Sequence, residues 1–324
     1  MKEASVLYWI KRSNNFVLQV SISLKNILLL FICLGAGVLL RRTGLFNDEA
    51  PRTLNRLIIY FFIPIIAIYQ VPKIEFQFSL IWLTISPFLV FGLSLLFFHL
   101  MEKPFSLDRE TKAVLILTSG ISSTSFVGFP VFELLYGEQG LAYGVFLSLG
   151  GTIFVFNTLG ISTLFAYSRG ATNWYGILRN ILTFIPFLAF LLGVFLNLIQ
   201  FQFAPIVEEL FTRLIAPFSV IALLSIGMQM RLRFTKAIFR ELLLGQFFKL
   251  IIAPLFLYLL IWQLFDIQNL VGRICILGAA IGSMNAMSIL TAEKGLRPEL
   301  AVLMPAIGIP LSIPILFLID ILLK

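Results

Sequence analysis

Charge is scarce in this chain. Asp, Glu, Lys and Arg make up 12% of 324 residues, against about a quarter in an average soluble domain. A water-soluble enzyme and a charge-rich disordered segment are both excluded. No polar stretch is long enough to form a soluble domain on a single membrane anchor. Histidine is almost missing, with His99 alone in the whole chain, so a histidine-built metal site or a Ser-His-Asp triad is not expected. The two cysteines, Cys33 and Cys275, lie inside apolar runs and read as packing residues, which leaves no disulfide framework. No catalytic residue, metal or cofactor is expected.

Apolar sequence is what the chain has instead. Hydrophobic residues make up 59% and the mean hydropathy is +1.00. Gly, Pro and charge clusters divide the chain into ten candidate membrane spans: 16–40, 53–71, 79–101, 112–136, 139–167, 177–199, 204–228, 241–264, 270–294 and 299–323. Each is near the roughly 20 apolar residues that cross a bilayer as a helix. The expected fold is therefore all-α and integral to a membrane. Residues 1–15 read as an extracytoplasmic interfacial segment, since Val6, Leu7, Tyr8, Trp9 and Ile10 stand beside Lys11 and Arg12. The first apolar run is too long for a signal-peptide core and is read as a retained span.

The net charge is +8. Because the basic residues sit between apolar runs, they read as topology signals and headgroup contacts rather than as a nucleic-acid surface. One set of loops holds most of them, including Arg41, Arg42, Arg52, Arg109, Arg231 and Lys236. The opposite set holds Lys73, Arg213 and Arg273. The richer side is expected to be cytoplasmic, which puts both termini outside, although the N-terminal cluster of Lys2, Lys11 and Arg12 opposes this assignment.

The fourth and ninth spans are irregular. Each contains small and polar residues where lipid-facing Leu and Phe would be expected: SGISSTSFVGFP at 119–130 and AAIGSMNAMS at 279–288. Superposed, the two runs pair Ile121 with Ile281, Ser123 with Ser283, Ser125 with Asn285, Gly128 with Ser288, and Glu133 with Glu293. Further matches, such as Gly37-Val38 with Gly193-Val194, recur in the same order at nearly one offset. This supports two five-span repeats, 16–169 and 177–324. Five is odd, so the second repeat enters from the opposite side and the pair is inverted.

Inverted repeats with discontinuous helices are the architecture of alternating-access carriers. A helix broken in hydrocarbon survives only where protein or a water-filled cavity satisfies its backbone, and half-helix N-termini attract anions. Spans four and nine are therefore expected to be broken and to cross at the substrate site. Ser122, Ser123, Thr124 and Ser125 of span four and Ser283, Asn285 and Ser288 of span nine are the candidate substrate ligands. Gly120, Gly128, Pro130 and Gly282 are expected to shape the breaks. The bland alternative is close helix packing, with each hydroxyl bonded to its own backbone.

Asn157, a lone amide in mid-span, is either an interhelical hydrogen-bonding group or a further substrate contact. Lys249, the deepest charge of span eight, either snorkels to headgroups, pairs with a neighbour, or attracts an anionic substrate. Glu133 and Glu293 read as solvated helix ends, with gate contacts as the alternative. No carboxylate falls in the middle of spans three to five or eight to ten, which favours uniport or weak coupling and leaves sodium or proton coupling open.

At this point the residues resemble a known family. GVLLRRTGLFNDEAPRTLNRLIIYFFIPIIAIYQVPKIEF (37–76), SFVGFPVFELLYGEQGLAYGV (125–145), IALLSIGMQMRL (221–232), KLIIAP (249–254) and LTAEKGLRPELA (290–301) are similar, in order, to segments of the auxin efflux carrier family. That family includes the plant PIN-type carriers and bacterial malate and malonate permeases. The resemblance implies ten spans in two inverted repeats, with crossing helices four and nine. Spans one, two, six and seven would form a scaffold that also mediates a homodimer, and the remaining spans a mobile transport domain. It implies a small organic anion, a carboxylate, as substrate, and a bacterial inner membrane as location. The chain departs from the PIN-type pattern in having Ser122-Ser123 where Pro-Asn precedes the first crossover, and Ser283 and Ser288 at the second-half proline positions. These departures argue against auxin itself. The rivals are a sodium-coupled symporter of the bile-acid type, a channel, and an intramembrane lipid enzyme. The last would need acid pairs or histidines that this chain does not offer.

Overall fold

The computed structural model describes residues 28–47, 49–168, 174–229 and 238–323. The expected interfacial segment 1–15, the start of the first span, the short link 169–173 between the halves and the basic residues Arg231, Arg233 and Lys236 lie outside the described residues. Among the described residues all extended regular structure is helical, and one isolated antiparallel bridge is the sole β-type pairing.

Helix α1 covers 28–42. It is followed by α2 (Ala50–Lys73) and α3 (Phe78–Leu100), then α4 (Arg109–Gly120). The helical stretch Thr124–Ser168 comes next. Gly137, at φ 65° and ψ −150°, divides it into two limbs, here α5 (124–136) and α6 (138–168). Only glycine adopts that conformation readily, so the turn expected between the fourth and fifth spans needs no loop. The second half contains α7 (Trp174–Leu182) and α8 (Ile185–Leu198), α9 (Pro205–Gln229) and α10 (Phe239–Leu264), α11 (Leu270–Ala280) and α12 (Asn285–Glu293), and α13 (Pro298–Leu322). Six of the helical stretches are long and apolar enough to cross a membrane: α2, α3, the joined α5–α6, α9, α10 and α13. The protein is an integral membrane protein. Its outer surface carries Phe78, Leu100, Leu264 and Leu39, each well exposed, as expected of helices that face lipid rather than water.

The helices pack as two sets. In one, α2 lies against α8 and α9, and α1 lies against α9. A Cβ on Gly37 would fall 2.3 Å from the Leu224 carbonyl oxygen, and one on Gly227 would fall 2.2 Å from that of Leu34. This glycine pair lets two backbones approach closely, the usual means of association where no hydrophobic drive exists between helices. In the other set, α3 packs on α4 and α11, α12 on α13, and α10 on α11. Phe91, Phe98, Phe129, Phe132 and Phe248 fill its interior. The N-terminus of α4 is capped by Asp108, whose carboxylate accepts from the Thr111 N–H at 2.7 Å.

Asn197 of α8 ties the end of α2. Its Nδ2 lies 3.1, 2.8 and 2.7 Å from the carbonyl oxygens of Val71, Pro72 and Ile74, where α2 unwinds. These oxygens lose partners together if the amide is removed. Asn197→Ala should destabilise the protein by about 1–3 kcal/mol. Thermal unfolding in detergent would show this as a clear fall in melting temperature, and an unchanged melting curve would refute it.

Candidate functional site

Two helices stop in the interior of the second set, and their loose ends pair with each other. Helix α4 ends at Gly120, after which Ile121 is extended (φ −122°, ψ 123°). Helix α11 ends at Ala280, after which Ile281 (φ −64°, ψ 136°) and Met284 (φ −72°, ψ 121°) are extended. Ser122 and Ser283 form an antiparallel bridge. The Ser123 N–H donates to the Gly282 carbonyl at 2.9 Å, and the Met284 N–H donates to the Ile121 carbonyl at 3.0 Å. A broken helix inside a membrane protein needs partners for the groups it frees, and here each break supplies them to the other.

The break in the first run falls at 121–123 and not at Pro130. That proline is the second residue of regular α-helix after a wide turn over Thr124–Gly128, a position where its missing N–H costs little. The glycines act by close packing. A Cβ on Gly120 would meet Ser94 Oγ at 2.6 Å, one on Gly128 would meet Ile281 Cδ1 at 2.8 Å, and one on Gly282 would meet the Ile309 backbone nitrogen at 2.5 Å.

The candidate ligands separate into distinct groups. Ser122 Oγ accepts from Lys249 Nζ at 2.6 Å. Ser125 Oγ shares a hydrogen bond with Ser148 Oγ at 2.6 Å, and Thr124 is buried. Ser123 Oγ and Ser283 Oγ are buried with no hydrogen-bond partner among the described residues. Asn157 Nδ2 donates to the Ile153 carbonyl of its own helix at 2.8 Å, and Ser288 Oγ to that of Met284 at 3.2 Å. Lys249 does not snorkel. Its side chain is fully buried. Glu133 is no solvated helix end either, because its carboxylate accepts from Ser219 Oγ of α9, whereas Glu293 is exposed.

A cavity lies beside the second break. It has a volume of about 370 Å³ and is lined from one side by Arg41, Pro51, Arg52, Asn55 and Gln229. From the other side it is lined by Asn285, Ser288, Ile289, Val302, Pro305 and Ala306. Both helix sets thus contribute walls. An amide chain crosses between them: Asn285 Nδ2 donates to Gln229 Oε1 at 3.0 Å, Asn55 Nδ2 reaches the same oxygen at 3.4 Å, and Ser225 Oγ donates to Asn55 Oδ1 at 2.7 Å. Arg41 Nη1 donates to the Met228 carbonyl at 2.7 Å, and Arg52 pairs with Glu49 at 2.6 Å on the exposed rim. Among the described lining residues none is acidic, and Glu49 reaches the site through its pair with Arg52. Helix α12 begins at Asn285, so its positive dipole end lies at the cavity wall.

Of the residues singled out from the sequence, Asn285 and Ser288 line this cavity, and Ser122, Ser123 and Ser283 meet at the paired breaks. The sequence presents Arg41 and Arg52 as topology signals and gives no mark to Asn55 and Gln229. Each of these two amides sits at the edge of an apolar run, where a polar residue is ordinary, unlike the mid-span Asn157. Among the described residues no group of three His, Cys, Asp or Glu stands together as a metal site.

Comparison with known proteins bears on what such a cavity does. Residues 22–173 match the family model described as membrane transport protein. A protein of Methanocaldococcus jannaschii named as an uncharacterized transporter is 27% identical over 180 residues, which cover 54% of this chain and 58% of that relative. One of Methanothermobacter thermautotrophicus, also named as an uncharacterized transporter, is 24% identical over 280 residues, covering 86% of this chain and 91% of the relative.

Proposed function

We propose that this chain, which belongs to the membrane transport protein family through residues 22–173, is a secondary carrier for small organic anions, carboxylates in particular. The cavity carries this reading. Two arginines, three carboxamides and a helix N-terminus converge on about 370 Å³, near the lower end of the volume that small-molecule sites occupy. Glu49 balances Arg52 at the rim, so the carboxamide donors and the helix N-terminus are the groups that favour an anion. Walls drawn from two helix sets allow a relative movement that alters access. Among the described residues no aromatic side chain lines the cavity, which favours malonate or malate over an indole-bearing acid.

In this reading the two halves, 16–169 and 177–324, are inverted five-span repeats. Helices α4–α5 and α11–α12 are the crossing pair, the set containing α2, α8 and α9 is the scaffold, and the set containing the breaks moves. Contacts away from the cavity support a state closed on the other side: Ser219 Oγ donates to Glu133 between the sets, and Lys73 of α2 pairs with Glu138 of α6 at 3.4 Å. The scaffold would also form a homodimer, both termini would be extracytoplasmic, and the membrane would be a prokaryotic plasma membrane, the bacterial inner membrane or its archaeal counterpart.

Counterflow in proteoliposomes tests the function. Vesicles preloaded with unlabelled malonate or malate should take up the labelled acid saturably, and indole-acetate should compete weakly. Folded protein that exchanges none of the three would sink the carboxylate reading, and an ionic conductance without counterflow would indicate a channel.

A further inference from the structure

Lys249 is the charge that the cavity does not explain. It is absent from the cavity wall and has no exposed surface. Ser122 Oγ, at 2.6 Å, is its hydrogen-bond acceptor, and no carboxylate lies within ion-pair distance among the described residues. A buried ammonium needs compensating negative charge. Two helix C-termini end close to its hydrogen-bond partner, Ser122. Helix α4 ends at Gly120, two residues before Ser122, and α11 ends at Ala280, three residues before Ser283. The bridge between Ser122 and Ser283 brings the two ends together. The turn that carries Lys249, Phe248–Ile252, packs on both α4 and α11. Each helix C-terminus is equivalent to about half a negative charge, so two of them facing one another approach the charge of a single anion.

In carriers with discontinuous helices, such C-terminal ends and unwound carbonyls are where a coupling cation is held. We propose that the Lys249 ammonium is a fixed cation that neutralises the converging ends of α4 and α11, so that this chain carries its own cation and transports without sodium. Removing the side chain should then create a site for a free monovalent cation. Ser122 Oγ would lose its donor, and the breaks already hold two buried hydroxyls, Ser123 and Ser283, with no partner among the described residues. Sodium and methylammonium are the probes that fit, one a bare cation and the other the lysine head group itself.

This inference rests on the carrier reading for its transport arm, and a second arm is independent of it. In counterflow, the wild type should run equally fast in choline and sodium buffers. Lys249→Ala should fall at least tenfold in choline and recover several-fold with sodium or methylammonium. Lys249→Met, which fills the space without the charge, should fall as far and not recover. In detergent, the melting temperature of Lys249→Ala should rise with methylammonium or sodium relative to choline, and that of the wild type and Lys249→Met should not. A sodium requirement in the wild type, or a Lys249→Ala protein as active in choline as the wild type, would overturn the proposal. So would a folded Lys249→Ala protein that no cation stabilises. If the wild type shows no counterflow at all, the carrier reading fails and the melting arm still decides the lysine.

Discussion

Gly282→Ala should leave almost no folded protein. A Cβ at this position would sit 2.5 Å from the Ile309 nitrogen and 2.7 Å from both Gly308 C and Ile309 Cα. All three are backbone atoms of α13, which cannot swing aside as a side-chain tip can. Either α13 retreats or the second break moves. Moving the break pulls the Gly282 carbonyl off the Ser123 N–H, now at 2.9 Å, and strands polar backbone in a dry interior. Overpacking alone costs about 1–3 kcal/mol and at times more, and a buried donor left without its acceptor adds about 1–3 kcal/mol. The sum, about 2–6 kcal/mol, reaches the lower end of the stability of typical domains. The measurement is yield and melting temperature in detergent beside Gly35→Ala and Gly92→Ala. Added Cβ atoms at those two helix positions would meet nothing within 4 Å, so both variants should fold as well as the parent. A Gly282→Ala protein that melts with them would show that the two breaks are not held as tightly as described.

Asn285→Ala should cut counterflow at least tenfold while leaving the fold intact. Asn285 is half-buried at the start of α12 and lines the cavity. Its bond to Gln229 joins the two helix sets, and Gln229 keeps Asn55 as a neighbour when it is lost. Stability should therefore change little. A hydrogen bond from a neutral amide to a carboxylate contributes about 1.5–3 kcal/mol, which corresponds to roughly 10- to 150-fold in affinity. The loss should appear mainly as a raised half-saturation concentration. Asn157→Ala is the comparison. That amide is bonded to its own helix, so its removal should change transport by no more than a few-fold. Should Asn157→Ala prove the more damaging of the two, the site lies deeper in the second helix set than the cavity at Asn285.

These two residues show how far the sequence could be read. Asn285 belongs to the small, polar run 279–288 and Asn157 stands alone in mid-span, but neither context tells which amide bonds its own turn and which faces a cavity. The same holds for Lys249. From the sequence it is a lysine about two turns into an apolar helix, with lipid headgroups, a partner acid and a substrate all open to it. The structure shows it buried against Ser122, because α10 lies on α4 and α11 at the level of their breaks.

The sequence by itself determined that this is a helical membrane protein, where most of its helices run, and that the runs 119–130 and 279–288 interrupt two of them. These are local properties. A segment in lipid must be long, apolar and hydrogen-bonded within itself, and a cluster of small and polar residues violates that condition wherever it occurs. Only the tertiary structure decided that the two interruptions satisfy each other through Ser122 and Ser283, and that Arg41, Arg52, Asn55 and Gln229 face Asn285 across one cavity. Those contacts join residues up to more than two hundred positions apart. Helix-on-helix packing brings them together, and no helix encodes it alone.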